Sequence, residues 1–427
     1  MNEAILQLTT ARCKLTTHKH DSMEVYFDNN ATTRVLPDVA AAMLPFYTEH
    51  YGNPSSIHRF GGAVGERIAE ARAQVAALIG AADPVEVIFT SSGTEGDNAA
   101  IRAMLEAHPE KRHIVTTQVE HPAVLGLCQH LEKKGYRVTW LAVDENGALD
   151  LAELSAALSD DTALVSIMWA NNETGVIFPV EEIAAMVRAK GIPLHVDAVQ
   201  AAGKIPLNVS ALPIDMLTIS GHKFHAPKGV GALYVRRGIT FAPFLIGGHQ
   251  EKNRRAGTEN VAGIIGMGKA AEIALGRVAE DYVSVKKLRD RLEASLLQSC
   301  PDSRVNGAKE PRLPNTLNIS FRYLEGESLL VLLDQQGICA STGSACTAGS
   351  SEPSHVLRAM GVAADWLQGA VRFSLSRFSS EAEVDDVNEK LPSIVQRLQG
   401  LSALGRLGSA PQAPGEVVGA GTVGARG

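Results

Sequence analysis

An amine lies between two imidazoles directly after an apolar run of this sequence. In the stretch IDMLTISGHKFHAPKGVG, Lys223 closely follows Ser220 and His222, and His225 comes two residues later. A lysine in such surroundings can act as a nucleophile towards a carbonyl group, or as an acid and base. Taken alone, however, a lysine at the end of a strand is usually a surface residue whose stem packs along the protein.

Three other stretches place polar side chains after apolar runs. HVDAVQ contains Asp197 and Gln200, VEHPAV contains His121, and TSSGTEGDN contains Gly93 and Thr94. The last is a glycine-containing turn before a helical stretch, where free backbone N–H groups and the helix dipole favour a phosphate. Each stretch also has a purely structural interpretation, as a turn-forming aspartate or as a helix cap without a ligand.

A phosphate cradle, a carboxylate and a lysine at the ends of strands are together the parts that bind pyridoxal phosphate. The lysine attaches to the aldehyde, and the carboxylate keeps the pyridine nitrogen protonated, so that the ring withdraws electrons from a substrate carbon. Lys223 and Asp197 are the candidates for these two roles. A metal site at His222 and His225 is disfavoured, because no third ligand with suitable spacing is evident.

A second candidate nucleophile is Cys346, in the run of small residues STGSACTAGSSEPS. Such residues cannot pack a core, so we expect a mobile surface loop with a reactive thiol. Cys339 has apolar neighbours and is expected to be structural, whereas Cys128 and Cys300 are expected on helix faces or at the surface. The 5 cysteines are scattered without a CxxC pair, which favours a reducing, cytoplasmic setting over a disulfide framework or a zinc site.

The elements that must position these side chains alternate between β-type runs and helical stretches from about residue 23 to 243. Almost wholly apolar strands separated by helices indicate an α/β fold with a mostly parallel sheet covered on both faces, in which ligands bind beyond the carboxyl ends of the strands. We expect a long helix, or two helices separated by a break, from about Asn260 to Gln298, followed by a smaller α+β domain. The predicted strands include Val85–Thr90, His113–Thr117, Thr162–Ala170, Gly191–Ala198 and Asp215–Ser220.

Composition excludes two classes of partner. The 427 residues carry a formal net charge of −7, which argues against nucleic acid and membrane surfaces because both are polyanionic. No run of about 18 apolar residues is present, so a membrane-spanning helix is not expected. The chain is long enough for two domains.

The ordered motifs of the chain are similar to those of one enzyme family. The chain resembles the cysteine desulfurases of the class V aminotransferase superfamily, pyridoxal phosphate enzymes of fold type I, and is most similar to the NifS-like branch of nitrogen fixation. Such a fold has a seven-stranded, mostly parallel sheet in its large domain. The resemblance runs from about Val25 to about Leu401 and is carried by YFDNNATTRV, YGNPSSIH, TSSGTEGDN, VEHPAV, MWANNETG, HVDAVQAAGK, SGHKFHAPKGVGALY, GGHQEKNRRAGTEN, RLPNTLNISF, STGSACTAGSSEPSHVLRAMG and VRFSLSR.

The resemblance implies a role for each residue around the cofactor ring. Lys223 would bind the cofactor covalently, Asp197 would pair with the pyridine nitrogen, and Gln200 would bond the ring hydroxyl. His121 would stack on the ring and take part in catalysis. His225 has no role that the resemblance assigns.

The resemblance also implies how the phosphate and the substrate are held. Thr258 would reach the phosphate in the neighbouring subunit, which implies a homodimer. Asn172, which would also contact the cofactor, and Arg372 would bind the substrate carboxylate, although Arg372 would otherwise pass for a surface charge. The residues expected to hold the phosphate within one chain are Gly93, Thr94, Ser220 and His222.

The implied reaction removes sulfur from L-cysteine. Lys223 would take the α-proton and the Cys346 thiolate would attack the substrate sulfur, leaving L-alanine and a persulfide on Cys346. The persulfide would pass to a scaffold protein that assembles iron–sulfur clusters, in particular for nitrogenase, and Cys346 would be a transient ligand of such a cluster.

Several alternatives stay open beside this reaction. They are a housekeeping desulfurase, a selenocysteine lyase and an aminotransferase, the last of which needs no mobile thiol. A binding protein that kept the fold without the chemistry would be expected to lose Lys223 or Asp197, and both are present.

The resemblance further implies a division of the chain. Residues 38–275 would form the large cofactor-binding domain, 276–400 the small domain with the cysteine loop, and 23–37 a segment that packs with the small domain. Residues 1–22 have no counterpart in the family, so we expect them to be disordered or not native. Residues 401–427 are rich in Gly, Ala and Pro and are expected to be a disordered tail.

The sequence departs from the family pattern at three places. Thr342 and Gly96 stand where serine is common, and EKNRR replaces Glu-Arg-Gly-Arg-Arg. None of these changes removes a residue with an expected role, so we expect them at most to alter loop mobility.

Overall fold

A computed structural model of the protein describes residues 24–342 and 353–401. Within these residues the strands form three sheets. The strands are β1 (Val25–Tyr26), β2 (Val87–Thr90), β3 (His113–Thr117), β4 (Arg137–Leu141), β5 (Thr162–Met168), β6 (Leu194–Asp197), β7 (Met216–Ser220), β8 (Gly231–Val235), β9 (Ser303–Val305), β10 (Thr316–Phe321), β11 (Ile338–Cys339) and β12 (Ala370–Ser374).

The largest sheet has seven strands in the order β2-β8-β7-β6-β5-β3-β4. All neighbouring pairs are parallel except those of β8, which is antiparallel to both β2 and β7. Strands β5, β6 and β7 are buried along their whole length, which explains why their sequences lack a polar alternation. The predicted mostly parallel sheet of an α/β fold is confirmed.

Helices cover both faces of this sheet. In β3, Ile114 packs in a core with the helices Gly93–Ala107 and Pro122–Lys133, whereas the next residue, Val115, packs in a core with the helices Arg59–Ile79 and Val180–Ala189 and the first half of Val261–Ser299. The helices are α1 (Pro37–Met43), α2 (Pro45–Thr48), α3 (Arg59–Ile79), α4 (Gly93–Ala107), α5 (Pro122–Lys133), α6 (Leu151–Ala157), α7 (Val180–Ala189), α8 (Gln250–Asn253), α9 (Val261–Ser299), α10 (Gly326–Asp334), α11 (His355–Ala359), α12 (Ala364–Leu367) and α13 (Glu381–Leu401).

A smaller antiparallel sheet, β12-β10-β9, belongs to a separate core with α10, α13 and the second half of α9. Strand β1 pairs with β11 and adds Val25 and Phe27 to this core. This is the predicted α+β part of the chain.

Helix α9 runs for 39 residues without interruption, so the predicted long helix is confirmed and the alternative with a break is wrong. Its buried side changes along its length, from Met267 and Ala271 in the core of the large sheet to Leu288 and Leu292 in the core of the small sheet. The predicted domain boundary at 275/276 falls inside this helix and stays a prediction.

Some element boundaries differ from the sequence-based expectation. Strand β4 is missed because it is a half-exposed edge strand with polar residues. Strand β2 begins at Val87 instead of Val85, because Pro84–Glu86 form a 3₁₀ turn that Asp83 caps. Among the helices of the described residues, none has the length and apolar character needed to cross a bilayer. Of the segments expected to be disordered, 1–22 and 401–427, Leu401 is the last residue of α13 and the rest lies outside the described residues.

Candidate active site

Most of the predicted cofactor residues lie at the carboxyl ends of neighbouring strands. Strand β6 ends at Asp197 and the adjacent β7 at Ser220, with Asp197 paired to Thr218 in the sheet. A single 3₁₀ turn follows β7 and carries His222 and Lys223. The parallel sheet therefore brings the carboxyl group of Asp197 close to the imidazole and the amine of the adjacent residues His222 and Lys223, which lie over twenty residues further along the sequence.

The lysine turn is held by the segment that follows β1. Lys223 donates from Nζ to the carbonyl oxygens of Asn30 at 2.6 Å and Ala31 at 2.9 Å. The carbonyl of His222 accepts from both the N–H and the hydroxyl of Thr33, each at 2.9 Å. The motif DNNATT, which has no role in the sequence-based expectation, thus positions the lysine.

His225 holds the other end of the lysine turn. Its backbone is left-handed (φ 71°), and its N–H donates to Thr33 Oγ1 at 2.8 Å. Its Nδ1 lies 2.9 Å from the carbonyl oxygen of Arg34, and its ring meets Phe378 edge-on at 5.4 Å between centroids. These contacts keep a conformation that is unfavourable for a residue other than glycine. His225 is therefore a structural part of the turn.

Asp197 is a buried carboxylate that forms no ion pair with any residue in 24–342 or 353–401. Burial raises its pKa to about 6, although the hydrogen bond from the Val199 N–H and the charge of Lys223 lower it. That hydrogen bond is 2.9 Å long. A protonated pyridine nitrogen would supply the compensating positive charge, so this carboxylate fits the expected cofactor partner.

Two histidines beside the lysine are held in the neutral form. His121 caps α5, accepting at Nδ1 from the Ala123 N–H at 3.2 Å, so that its proton resides on Nε2. Burial, and next the charge of Lys223, lower the pKa of both His121 and His222 to about 4. A neutral ring at His121 is suited to stacking on a flat cofactor.

The start of α4 forms a cradle of the shape expected for a phosphate. Ser92 caps this helix by accepting from the Glu95 N–H at 3.2 Å, and the first helical residue is Gly93. A Cβ atom on Gly93 would lie 2.8 Å from Val199 Cγ2 and 3.4 Å from the Cβ of Ser220. The glycine therefore lets the N–H groups at the start of a 15-residue helix approach the end of β7 closely. Thr94, the second residue of the helix, has an exposed side chain.

Two departures from the family pattern have a structural reason. A Cβ atom on Gly96 would lie 2.7 Å from Thr218 Cγ2, so serine would require a shift of this helix. Asn253 has φ 64° and is the last of three successive left-handed residues, where asparagine is the best substitute for glycine. Arg72 holds this turn by a two-point ion pair with Glu251, at 2.6 and 2.9 Å.

Arg372 is buried (2% exposed) and is not the surface charge that the sequence alone would indicate. It donates from Nη1 to the carbonyl oxygen of Asn172 at 3.0 Å and from Nη2 to Asp28 at 2.8 Å. Asn172 follows β5, whereas Arg372 belongs to the small sheet. A guanidinium is thereby brought from the small domain to the strand ends of the large one.

Lys204 is a residue of the site that the sequence analysis missed. Its Nζ donates to Gln200 Oε1 at 2.6 Å and to Asn30 Oδ1 at 3.0 Å. Gln200 Nε2 in turn donates to the carbonyl oxygen of Asn30 at 3.0 Å. The spacing of four residues from Gln200 in AVQAAGK is a weak signal for this contact, because the third partner comes from a distant part of the chain.

Cys346, with its expected roles as nucleophile and cluster ligand, lies outside the described residues. On the near side of the gap, Arg372 donates its backbone N–H to the Ser341 carbonyl at 2.6 Å. On the far side, Ser354 donates to Glu173 Oε2 at 2.5 Å. The described residues on both sides of the gap are therefore held by hydrogen bonds to distant parts of the chain.

Of the two placements expected for Cys128 and Cys300, the helix face is confirmed for Cys128, which lies in α5, and the surface is wrong for both. Cys128 and Cys300 are buried, not at the surface, whereas Cys339 is half-buried. Burial raises the pKa of Cys128 to about 12 and also raises the pKa of Cys300 and Cys339. None of these three thiols has the low pKa of a reactive cysteine.

Thr258 is exposed and lines a cavity together with Thr90 and Ser91, which directly precede the phosphate cradle. In this single chain it is not a member of the cluster around Lys223. Its expected contact with a neighbouring subunit stays a prediction.

Known proteins that are similar to the chain share this architecture. The sequence profile of the family "Aminotransferase class-V" matches residues 25–387. A cysteine desulfurase of Nostoc sp. is 62% identical over 378 residues, which cover 88% of this chain and 94% of that protein. The chain belongs to the cysteine desulfurases of the class V aminotransferases. The cysteine desulfurase NifS of Azotobacter vinelandii is 54% identical over 379 residues, covering 89% and 94% of the two chains.

Solved structures agree with this membership. A NifS-like protein has a TM-score of 0.83 at 42% identity, covering 88% of this chain and 100% of its own. A NifS-like protein from Rickettsia africae has a TM-score of 0.80 at 31% identity, with coverages of 88% and 100%. The expected fold type I and the dependence on pyridoxal phosphate are therefore confirmed.

Proposed function

We propose that this cysteine desulfurase uses Lys223 and Cys346 to move the sulfur atom of L-cysteine onto its own thiol. The observation that carries the proposal is the turn that holds Lys223 between a buried carboxylate and two neutral imidazoles. When bound, pyridoxal phosphate withdraws electrons from the α-carbon of the substrate. Lys223 and Asp197 would hold its ring, with His121 stacked on it and Gln200 at its oxygen.

The remaining residues would hold the phosphate and the substrate. Arg372 and Asn172 would bind the α-carboxylate, because the buried guanidinium offers donors in a fixed fork. The phosphate would be bound by Gly93, Thr94, Ser220 and His222, where backbone N–H groups and a hydroxyl converge.

The chemical steps assigned to the protein are a proton transfer and a sulfur transfer. Lys223 would take the proton from the α-carbon, since its amine is already positioned by two carbonyl oxygens. The Cys346 thiolate would attack the substrate sulfur, and the carbon–sulfur bond would break with its electron pair left on the β-carbon. The β-carbon would then be protonated, and Lys223 would return its proton to the α-carbon. One L-cysteine and one thiol thus become one L-alanine and one persulfide, without an external oxidant.

The proposal extends to partners. A homodimer is supported by exposed apolar side chains at residues 44–60, among them Tyr51 at 71% and Ile57 at 105% exposure. A scaffold protein for iron–sulfur clusters, serving nitrogenase, would accept the persulfide, and Cys346 would ligate the cluster transiently. The similarity to NifS supports this branch. A cytoplasmic location fits a reaction that requires a free thiol.

The test measures L-alanine formed from L-cysteine by the loaded enzyme and its variants. Lys223→Ala is expected to lower the rate by at least about 10³-fold, because the base is lost, while the exposed neighbour Lys228→Ala keeps it. Cys346→Ala is expected to abolish turnover, and Cys339→Ala to retain it. Undiminished alanine formation by Cys346→Ala would contradict the proposal and favour a lyase that releases sulfur directly.

A further inference from the structure

Lys204 is the second amine at the site, and it connects two amide side chains. Its Nζ donates to Gln200 Oε1 at 2.6 Å and to Asn30 Oδ1 at 3.0 Å. Burial, followed by the charges of Lys223 and Arg372, holds the pKa of Lys204 well below its ordinary value. Two N–H groups suffice for both bonds, so the neutral amine can still make them.

The orientation of Asn30 is fixed independently of Lys204. Its Nδ2 donates to Thr316 Oγ1 at 2.9 Å and to the carbonyl oxygen of Asn172 at 3.1 Å, so its Oδ1 must face Lys204. That oxygen also accepts from Asn315 Nδ2 at 2.9 Å. Asn30 is 1% exposed, so one of the two hydrogen bonds of Lys204 Nζ is made to a rigid, buried acceptor.

The second hydrogen bond of Lys204 Nζ fixes the orientation of the Gln200 amide. With Oε1 occupied by the amine and Nε2 donating to the Asn30 carbonyl at 3.0 Å, a flipped amide would lose both bonds. A flip would place Oε1 against a carbonyl oxygen, which is repulsive. In the observed orientation Nε2 keeps a second N–H for a ligand.

We propose that Lys204 is a positioning residue that locks the amide of Gln200 as a donor to the ring oxygen of the bound cofactor and so lowers the proton affinity of the cofactor. This inference rests on the proposed role of Gln200. A donor to that oxygen stabilises its anionic form, so the bound cofactor releases its proton at lower pH. Without the hydrogen bond from Lys204, the Gln200 amide is free to turn its own oxygen towards the anionic ring oxygen.

The test is a pH titration of the visible absorption of the loaded protein. Lys204→Met removes both donors and keeps most of the apolar stem, and the midpoint is expected to rise by about half to one pH unit. Lys204→Arg keeps the donors, and Lys204 lines a pocket that opens to solvent and leaves room for the longer side chain, so its midpoint is expected to stay near that of the wild type. Lys190→Met, at an exposed lysine after α7, is the control.

A double variant separates this role from a general structural one. If Lys204 acts through Gln200, then adding Lys204→Met to Gln200→Ala leaves the midpoint of the single Gln200→Ala variant unchanged. Additive shifts, equal shifts in the Met and Arg variants, or an unshifted Lys204→Met protein would each overturn the inference. If Lys204→Met does not fold, Lys204→Gln, whose shorter side chain keeps at most one of the two hydrogen bonds, is titrated instead and is expected to show a smaller rise, whereas no rise overturns the inference. Absence of alanine formation by the wild type would contradict the proposed function alone, since the titration needs only loaded protein.

Discussion

At the scale of single residues, the site combines groups whose burial is unfavourable until a ligand is present. Asp197 is buried with a raised pKa, and two imidazoles near Lys223 are held neutral. Perturbed titrations of this kind concentrate at functional sites, because binding there supplies the missing charge. The stability of the unloaded protein is therefore expected to be limited by Asp197, the carboxylate proposed to bind the cofactor.

Replacement of that carboxylate tests the cost of its burial. Its pKa is raised from 3.8 to about 6, so the folded state binds the proton more tightly than the unfolded chain, and stability falls as pH rises between these values. Asp197→Asn is therefore expected to stabilise the unloaded protein by up to about 3 kcal/mol near neutral pH and by little below about pH 4. The same variant is expected to lose at least about 100-fold in activity when loaded.

Thermal unfolding of unloaded protein across this pH range checks the expectation. Asp160→Asn, at an exposed aspartate, is the matched control and should change stability little. A loss of stability in Asp197→Asn at neutral pH would show that the carboxylate has a favourable partner and would refute the electrostatic account.

The site residues were accessible to sequence analysis to different degrees. The neighbouring positions of Asp197, Ser220, His222 and Lys223 could be predicted because these residues end or directly follow adjacent parallel strands. The contact between Lys204 and Asn30 could not be predicted, since the two residues are 174 positions apart in the sequence. The role of Arg372 is inferred from the family resemblance. Its burial depends on a tertiary contact with Asp28, which the local sequence does not reveal.

At the scale of elements, the close approach of α4 to the end of β7 forms the proposed phosphate cradle. Gly93→Ala would put a Cβ atom 2.8 Å from Val199 Cγ2. The helix must then move away from the strand end, which is expected to cost about 1–3 kcal/mol of stability and to weaken cofactor binding at least about tenfold. Cofactor titration followed by absorbance, together with thermal unfolding, measures both effects.

Gly126→Ala is the matched control for the cradle. This glycine lies on the exposed side of α5, and a Cβ atom there would meet nothing within 4 Å. Alanine is expected to stabilise the helix by up to about 1 kcal/mol without any effect on the cofactor. Equal cofactor affinities in the two variants would contradict the assignment of the cradle.

The elements themselves were mostly predictable. The composition of the buried strands β3, β5, β6 and β7 is enough to predict a buried parallel sheet. Edge strand β4 lacks this signal, because an edge strand needs only a partial apolar face. The long helix α9 could be predicted as well, but not whether it is broken, since its buried stripe shifts from one core to another along its length.

At the scale of the whole molecule, the proposed dimer makes each site depend on two chains. Mixed dimers of Thr258→Ala and Lys223→Ala subunits test this. If Thr258 serves the neighbouring site, one site in each mixed dimer combines an intact Lys223 with an intact Thr258. Mixing is then expected to restore up to about half of the wild-type activity per mixed dimer, above that of either variant alone. If Thr258 serves its own site, no combination is intact and mixing restores nothing.

The central claim, that sulfur moves from L-cysteine to Cys346, is tested most directly by a single turnover without reductant. Loaded protein is mixed with limiting L-cysteine, L-alanine is quantified, and cysteine-containing peptides are analysed by mass spectrometry. The account predicts one L-alanine for each added sulfur atom, found on the peptide that carries Cys346. Alanine with the sulfur on another residue, or no alanine from protein with bound cofactor, would contradict it.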